Sequence, residues 1–419
     1  MMTMVIFSCK KTDENPPQIT ISSPSIGSNY LVLDTIHVAA HVSDDKSLNY
    51  VKLSLLNADY ISVGNVVSFP VTSVSMDIKT DYIIDNPDLP TGDYYITVSA
   101  NDGRNSTNSY RMIHVSELPK KRKAIYVITG SNNGNTKVFK VDTGNAISPV
   151  ISLSGDFVSS GINSRDQNLY TVGMFSGDFN SINLNSNAIN WQVNNPNDNF
   201  PNFQYLYNYG LLTYIADYDR TIKGYDKGNN VSFSTTTAEN TYPHILFMSK
   251  DYMFAEQRNY SGSDVRIEVY YVATGYPRQE IGINQDVVSM YSIDANHLIV
   301  FTNNADNGNI LEYDLDANNI YQKHSCPAGK IYSTVQINPD IYLIGHESGI
   351  LFYNTNSAGS IGNYFPVINS PVMQYDSLNN QLLVANGKQM NVYDYGSSSL
   401  INTLTFSDTL KGINILYNK

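Results

Sequence analysis

Histidine is the side chain that most often moves protons or binds metals near neutral pH, and this sequence contains seven histidines. His37 and His41 lie four residues apart, which would place both on one face of a β-strand. No third metal ligand is adjacent to them, so a metal site is not expected there. The sequence has no Gly-x-Ser-x-Gly elbow, His-Glu-x-x-His motif, Walker-type loop or Gly-x-Gly-x-x-Gly. Familiar catalytic signatures are therefore absent, and no catalytic residue is assigned.

The two cysteines, Cys9 and Cys326, exclude a disulfide framework and a cysteine-rich zinc module. Cys326 is predicted to lie in a connecting loop, and because nothing beside it would activate its thiol, we expect a packed free cysteine. Asp44, Asp45 and Asp102, and the stretch 303–309, offer oxygen ligands that suit calcium, but Asp and Asn are also ordinary turn residues. No cofactor is expected, and structural calcium is left open.

Composition indicates an all-β protein that does not bind nucleic acid. The 419 residues include 32 Tyr and 50 Asn, which favour strands and turns respectively. Apolar residues make up 42% of the chain, which is typical of a globular protein. The formal charge of −12 argues against a general nucleic-acid binder. No segment approaches the ~20 apolar residues that a membrane-spanning helix requires.

A degenerate repeat occupies residues 124–419. Its marker is an aromatic or aliphatic residue followed by a polar or aromatic residue at the end of a strand, recurring every 40 to 45 residues: Val141-Asp142, Ile182-Asn183, Tyr225-Asp226, Tyr270-Tyr271, Tyr313-Asp314, Tyr353-Asn354 and Tyr393-Asp394. This period, with four strands per unit, is typical of β-propeller blades. Residues 124–129 match the second strand of a unit, and residues 411–417 match the first. The repeat therefore predicts a seven-bladed β-propeller closed by the C-terminal strand, with six or eight blades as the alternatives.

Propellers bind ligands mostly at the channel mouth and on the face formed by loops that join second to third strands and blade to blade. Assigning these loops from the repeat gives ten candidate ligand-binding residues: Phe200, Asp217, Arg220, Tyr242, His244, Glu256, Arg258, Tyr260, Lys330 and His346. Aromatic faces beside amides and carboxylates suit sugars, since rings cover C–H groups while polar groups bond hydroxyls. His244 and His346 are expected to meet across the channel mouth. His244 with Tyr242, Arg258 or Glu256 could also serve acid–base catalysis.

Residues 17–117 alternate short period-2 strands with turn residues, which predicts a β-sandwich. Three segments, 17–24, 37–44 and 92–103, resemble the immunoglobulin-like domains of bacterial surface lipoproteins. Residues 118–123, with four consecutive basic residues, are predicted to form an exposed linker. In the repeat region, Val392-Tyr393-Asp394 and residues 271–275 resemble YVTN-type and quinoprotein-like propellers.

The first residues, an apolar run ending in Ser8-Cys9-Lys10-Lys11, resemble the end of a bacterial lipoprotein signal peptide. The polar stretch after Cys9 is similar to the tether of Bacteroidetes surface lipoproteins. This resemblance implies that residues 1–16 are a signal remnant and tether, with lipid on Cys9. It also implies a cell-envelope protein, anchored to the outer membrane by lipid alone and exposed at the surface.

Taken together, these features predict a monomeric lipoprotein whose propeller is a non-catalytic binding module for an extracellular glycan or a protein partner. A propeller enzyme of the polysaccharide lyase or hydrolase type, with its site at the channel mouth, is one alternative. A purely structural scaffold of the cell envelope is another.

Replacing Cys9 with serine should abolish lipid attachment, because a serine cannot form the thioether that anchors such proteins. Labelled palmitate should be incorporated by the native chain in a bacterial host and not by Cys9→Ser. Incorporation that survives in Cys9→Ser would contradict the predicted anchor.

Overall fold

The computed structural model describes residues 15–130, 134–196, 200–356, 360–365 and 372–419. These residues form 36 β-strands and no helix, which confirms the all-β prediction. Among them, no helix is long and apolar enough to cross a membrane. The chain divides into two compact units, unit 1 up to Pro119 and unit 2 from Lys120 onward. Cys9 and the rest of residues 1–14, which make up most of the predicted signal remnant and tether, lie outside the described residues.

Unit 1 consists of two sheets, ordered β1-β3-β6 and β2-β8-β7-β4-β5, in which only the β2–β8 pair is parallel. Its strands are β1 (Gln18–Ser23), β2 (Ser28–Leu31), β3 (Thr35–Ser43), β4 (Tyr50–Leu56), β5 (Val67–Phe69), β6 (Ser75–Ile83), β7 (Gly92–Asn101) and β8 (Ser106–Ser116). Side chains from both sheets, including Ile36, Leu53 and Val98, share one buried core. The two sheets therefore pack as a sandwich.

Period-2 alternation explains how β3 contributes to this core. Ile36 and Val38 are buried, whereas His37 and His41 point outward, because successive side chains on a strand face opposite sides. Each histidine Nδ1 contacts the carboxylate directly opposite on β6, at 2.6 Å for Asp81 and 2.7 Å for Asp77. The two histidines thus share a face as predicted, and each contacts its own aspartate.

The described residues of unit 2 form seven four-stranded antiparallel sheets, numbered I to VII in chain order. Sheet I contains β9 (Arg122–Gly130), β10 (Asn135–Val141), β11 (Ile147–Ser154) and β36 (Thr409–Tyr417). Sheet II contains β12 (Ser159–Asn163), β13 (Asn168–Val172), β14 (Phe179–Asn183) and β15 (Ala188–Val193). Sheet III contains β16 (Phe203–Tyr209), β17 (Leu212–Asp217), β18 (Thr221–Tyr225) and β19 (Val231–Thr236).

The remaining four sheets follow the same order along the chain. Sheet IV contains β20 (Thr241–Ser249), β21 (Tyr252–Asn259), β22 (Val265–Tyr271) and β23 (Pro277–Gly282). Sheet V contains β24 (Asp286–Ser292), β25 (His297–Asn304), β26 (Asn307–Asp314) and β27 (Asn319–Ala328). Sheet VI contains β28 (Ile331–Asn338), β29 (Ile341–His346), β30 (Gly349–Asn354) and β31 (Ser360–Phe365). Sheet VII contains β32 (Met373–Asp376), β33 (Gln381–Asn386), β34 (Gln389–Asp394) and β35 (Leu400–Thr405).

The marker of the repeat lies at the end of the third strand of each sheet, where its two residues have separate structural roles. The aromatic member packs in the core, as Tyr313 and Tyr353 do. The acidic member accepts backbone N–H bonds in the following turn. Asp226 Oδ1, for example, accepts the N–H of Gly228 at 2.8 Å and of Asn230 at 2.9 Å. Side-chain capping of this kind is the reason Asp and Asn recur at these turns.

The first strands of the seven sheets contact one another in a closed circuit, β36 to β12, β16, β20, β24, β28, β32 and back to β36. Closure depends on β36, which pairs antiparallel with β9 from Thr409–Gly130 to Tyr417–Arg122. The last strand of the chain therefore completes the first sheet, at the position that the repeat predicts. A closed ring leaves no long unpaired edge between the two ends of unit 2.

A buried ion pair reinforces the closure and corrects the predicted linker. Arg122 and Lys123 belong to β9, so the exposed linker is shorter than residues 118–123. Alternation along β9 turns Arg122 inward, where its Nη1 lies 2.7 Å from Asp376 Oδ2, while Lys123 Nζ bonds Gln167 on the neighbouring sheet II. Asp376 also accepts the Tyr417 hydroxyl at 3.2 Å. The carboxylate of Asp376, at the end of β32 in sheet VII, thus contacts both β9 and β36, the two strands whose pairing closes the ring.

Replacing Asp376 with asparagine should destabilise unit 2, because it leaves the Arg122 guanidinium buried without its counter-charge. The Asp376 side chain is fully buried and the Arg122 side chain is 14% exposed. We expect the free energy of unfolding to fall by about 3 kcal/mol in urea titrations. Glu280→Gln, which breaks the exposed Arg266–Glu280 pair, is the matched control and should cost less than about 1 kcal/mol. Equal effects of the two substitutions would contradict this role for Asp376.

Candidate functional site

Connections between second and third strands, and between one sheet and the next, emerge on the same face of unit 2. Each sheet is antiparallel, so the chain alternates direction at every strand. On sheets III and IV this face carries three connections, at residues 218–220, 237–240 and 260–264. They bring together six of the ten predicted ligand-binding residues: Asp217, Arg220, Tyr242, His244, Arg258 and Tyr260, with Glu256 buried beneath them.

Three tyrosines, Tyr218, Tyr242 and Tyr260, form what we call the tyrosine cluster. Ring centroids are 4.7 Å apart for Tyr218–Tyr242, 4.9 Å for Tyr218–Tyr260 and 5.4 Å for Tyr242–Tyr260. The Tyr260 hydroxyl donates to the carbonyl of Tyr218, which ties sheet IV to sheet III. Tyr260 is 41% exposed, so the cluster offers aromatic surface to solvent. Aromatic groups held in this way lose little conformational entropy when a ligand binds.

Beside the tyrosines lies a charged network of His244, Glu256, Arg258 and Asp286. Glu256 is fully buried and accepts bonds from His244 Nδ1 at 2.8 Å and from Arg258 Nε at 2.9 Å. It also accepts the backbone N–H of Val287 at 3.3 Å. Arg258 Nη2 lies 3.3 Å from Asp286 Oδ1 on the next sheet. A buried carboxylate with this many donors is compensated, and it fixes the orientation of His244 and Arg258.

An irregularity in strand pairing places His244 in this network. The register between β20 and β21 shifts between Pro243 and Leu246, so one extra residue interrupts the ladder there. Bulges of this type redirect side chains and occur next to functional sites. Arg258 lies directly opposite Tyr242 in the same pair of strands, and the charged network is therefore contiguous with the tyrosine cluster.

Arg220 adds a second arginine in a strained backbone conformation. Its φ is +81°, a left-handed region that is unfavourable for a residue with a long side chain. The guanidinium Nη2 donates to the carbonyl of Thr237 at 2.8 Å, and Nε is buried without a hydrogen-bond partner among the described residues. Strain of this kind persists only where the surroundings enforce it, and it is concentrated at functional sites.

Asp217 ends β17 and lines a cavity of about 180 Å³ between sheets II and III, which we call the acidic pocket. Asp217 is 8% exposed, and its Oδ2 lies 3.2 Å from Lys223 Nζ and 3.2 Å from Thr221 Oγ1. Burial raises the pKa of Asp217 to about 6, and the charge of Lys223 only partly opposes this increase. Tyr218 lines this pocket and also belongs to the tyrosine cluster, so the acidic pocket adjoins the cluster.

Three of the predicted residues do not join this site as expected. Lys330 lies between sheets V and VI, where Nζ is 3.3 Å from Asp306 Oδ1. His346 is fully buried and its Nδ1 lies 2.8 Å from the Ser348 hydroxyl, so it does not present an exposed side chain at the channel mouth. The reason is that His346 ends β29, a middle strand enclosed on both faces. Phe200 is 63% exposed on the connection between sheets II and III and does not line the acidic pocket.

Cys326 differs from prediction in its place but not in its character. It lies within β27 rather than in a connecting loop. The residue is 8% exposed, and burial raises the pKa of its thiol to about 12. A thiol that stays protonated at neutral pH is a poor nucleophile. Cys326 is therefore a packing residue.

Sequence reasoning did not single out Tyr218 or Asp286, both of which contact the site. A signal for Tyr218 was present, because it precedes Tyr260 by 42 residues and so occupies the equivalent place in the repeat. Asp286 begins β24 in sheet V, and its contact with Arg258 depends on the packing of one sheet against the next. No pattern in the local sequence predicts that contact.

The raised pKa of Asp217 predicts a pH-dependent stability. The folded chain binds the proton of this carboxyl more tightly than the unfolded chain does, so stability should decrease as pH rises from about 4 to 6. Asn does not titrate. The free energy of unfolding of Asp217→Asn should therefore rise by about 2 to 3 kcal/mol, relative to that of the native chain, between pH 4 and pH 7. Urea unfolding at both pH values measures this difference. A difference that does not change with pH would contradict the buried, ionised carboxylate.

No family model and no curated protein matches the chain. Among solved structures, it is similar to the computationally designed protein Ika8 (12% identity, 70% of this chain, 91% of that chain, TM-score 0.48). It is also similar to the WD40 β-propeller domain of Doa1 (13% identity, 64% and 90%, TM-score 0.48). A third similar structure is the dihydro-heme d1 dehydrogenase NirN in complex with DHE (11% identity, 76% and 72%, TM-score 0.50). All three likenesses concern the fold alone. The likeness to NirN, together with the sheet topology, confirms that unit 2 is a β-propeller.

Proposed function

We propose that unit 2 is a seven-bladed propeller that binds an extracellular glycan, without covalent chemistry, through the tyrosine cluster. The observation that carries this proposal is the convergence of three tyrosine rings, with centroids within 5.4 Å of one another, on one face. Aromatic faces pack against the C–H groups of sugar rings, while nearby polar side chains bond the hydroxyls. Arg258 and His244 are held in place beside the rings by a buried carboxylate and are suited to that role.

The rest of the chain is assigned an anchoring role in this proposal. Cys9 carries lipid and fixes the protein to the outer membrane at the cell surface, in a Bacteroidetes-like bacterium. Unit 1 is an immunoglobulin-like stalk. Its two-sheet topology favours that assignment, and so does the bond from the Tyr94 hydroxyl, near the start of β7, to the carbonyl of Pro90 at 2.9 Å. A tyrosine bonded back to the preceding corner is typical of immunoglobulin-like sandwiches.

Binding to a glycan array should depend on Tyr242, because Ala removes the ring that contacts both other tyrosines. We expect Tyr242→Ala to weaken binding about tenfold or more, in line with a loss of 1.5 kcal/mol or more from an aromatic contact. Phe200→Ala tests whether the site extends to the neighbouring connection. Tyr276→Ala is the matched control, because Tyr276 is 72% exposed in the turn between β22 and β23, on the opposite face.

Unchanged glycan binding in both Tyr242→Ala and Phe200→Ala would contradict the proposal. Capture of a protein in place of any glycan, lost in Tyr242→Ala, would assign the same face to a protein partner. If the chain captured neither, a scaffold role in the envelope would replace the binding role.

A second candidate function, polysaccharide cleavage by a lyase or hydrolase mechanism, is favoured by one observation. His244 is 23% exposed and its Nδ1 bonds the buried Glu256, an arrangement that orients the ring and leaves Nε2 to exchange a proton with substrate. Turnover of a bound polysaccharide that is lost in His244→Ala, while binding is retained, would support this function. Binding without turnover would contradict it.

A further inference from the structure

The centre of the ring contains a polar cavity of about 410 Å³, which we call the channel cavity. Its lining comes from the first strands of sheets I, II, III, V, VI and VII, or from residues just before them. Serine, threonine and tyrosine hydroxyls make up most of its polar groups, and Lys411 is the only charged residue among the described residues that line it. Cavities of this size hold small organic molecules, which a few polar groups orient.

A β-bulge places Lys411 at the mouth of the channel cavity. The pairing of β36 with β9 shifts between Leu410 and Gly412, which leaves Lys411 as the extra residue. A bulge at the corresponding place in sheet VI leaves Tyr332, which is 40% exposed, as its extra residue. Both strands begin on the face that carries the candidate site, so Lys411 and Tyr332 lie at that end of the cavity.

The mouth of the channel cavity is locally positive, although the whole chain carries a charge of −12. Lys137 Nζ lies 2.9 Å from Asp408 Oδ2, and Lys388 Nζ donates to the carbonyl of Ser407 at 2.8 Å. The bond from Lys137 lowers the pKa of Asp408, and the nearby charge of Lys388 adds to this effect. The Lys411 ammonium group has no hydrogen bond or ion pair within the part of the chain that the structure describes. Three lysines beside one aspartate favour an anionic ligand.

Two further polar groups in the channel cavity have no hydrogen-bond partner among the described residues, the Tyr205 hydroxyl and the Gln374 amide. Neither is sealed from solvent, so both remain accessible. Burial raises the pKa of Tyr205 to about 12, so its hydroxyl is a protonated donor at neutral pH. The Tyr291 hydroxyl, by contrast, already donates to the carbonyl of Thr334 at 2.9 Å. Groups that both donate and accept, as a phenol and an amide do, suit the hydroxyls of a ligand.

We infer that the channel cavity binds a sugar acid, with its carboxylate beside Lys411 at the mouth and its hydroxyl groups at Tyr205 and Gln374. One lysine without a partner matches the single charge of a carboxylate. The rings of Tyr205 and Tyr332 offer faces for the C–H groups of the sugar. This inference goes beyond the proposed function, because it concerns a second ligand and does not require the tyrosine cluster.

Two probes that differ in one group test the inference. Methyl β-glucuronide carries a carboxylate where methyl β-glucoside carries a hydroxymethyl group, and binding of both can be measured at pH 7 by NMR titration of the full chain. We expect the glucuronide to bind about tenfold more tightly, as charge-assisted hydrogen bonds predict. Lys411→Gln should reduce this preference to about twofold or less, because the amide carries no charge. Lys250→Gln, which removes an exposed lysine from the turn between β20 and β21 on the opposite face, should retain it.

Tyr205→Phe tests the deeper part of the channel cavity. The substitution removes a hydroxyl that has no partner among the described residues, so the fold should not be affected. We expect binding of both probes to weaken about threefold or more, while the preference for the glucuronide is retained. Salt gives a second measurement on the native chain, since an increase from about 0.05 M to about 0.5 M sodium chloride should reduce the preference by screening the charge of Lys411.

Equal binding of the two probes by the native chain, binding of neither, or an unchanged preference in Lys411→Gln would overturn the inference. Tighter binding of N-acetylalanine, a carboxylate without a sugar, than of the glucuronide would overturn the assignment to a sugar acid. A preference that is lost in Tyr242→Ala but kept in Lys411→Gln would assign the acid to the tyrosine cluster instead. Failure of the proposed function is a separate outcome, because it is measured by array binding that Tyr242→Ala leaves unchanged.

Discussion

Strand β36 comes from the end of the chain and hydrogen-bonds along β9 from the beginning of unit 2, so that the first sheet cannot be completed until the last residues are in place. Every other sheet contacts its neighbours through its first strand, and the circuit is closed only by this pairing. The buried Asp376 reinforces it by contacting both Arg122 and Tyr417. Because the connections that form the candidate site belong to adjacent sheets, the positions of their side chains depend on a ring that is closed.

Two buried carboxylates on sheets III and IV show how differently the same chemical group can be used. Glu256 accepts bonds from His244, Arg258 and the N–H of Val287, and its charge is compensated within the fold. Asp217 is compensated only on one oxygen. The first arrangement stabilises the orientation of its neighbours, whereas the second has an energetic cost.

The sequence was sufficient to predict the β-propeller fold of unit 2, because the repeat has a local cause. Tyr313 and Tyr353 fill the core at the ends of third strands, and Asp226 caps the turn that follows its strand. The residues that determine each strand end and turn therefore lie within a single repeat. The site was only partly predictable. Connections were assigned well enough to bring Tyr242, His244 and Arg258 together, but burial of His346 depends on neighbouring sheets. The contact between Asp286 and Arg258 likewise arises from packing between sheets, which no single repeat encodes.

The face on sheets III and IV combines exposed aromatic rings with arginines whose guanidinium groups are fixed, and the central claim is that a ligand binds there. Hydrogen–deuterium exchange with and without a glycan that binds the native chain tests this claim most directly. The account predicts slower exchange in the connections at residues 218–220, 237–240 and 260–264. Slower exchange confined to the turns on the opposite face, such as the one containing Tyr276, would contradict it.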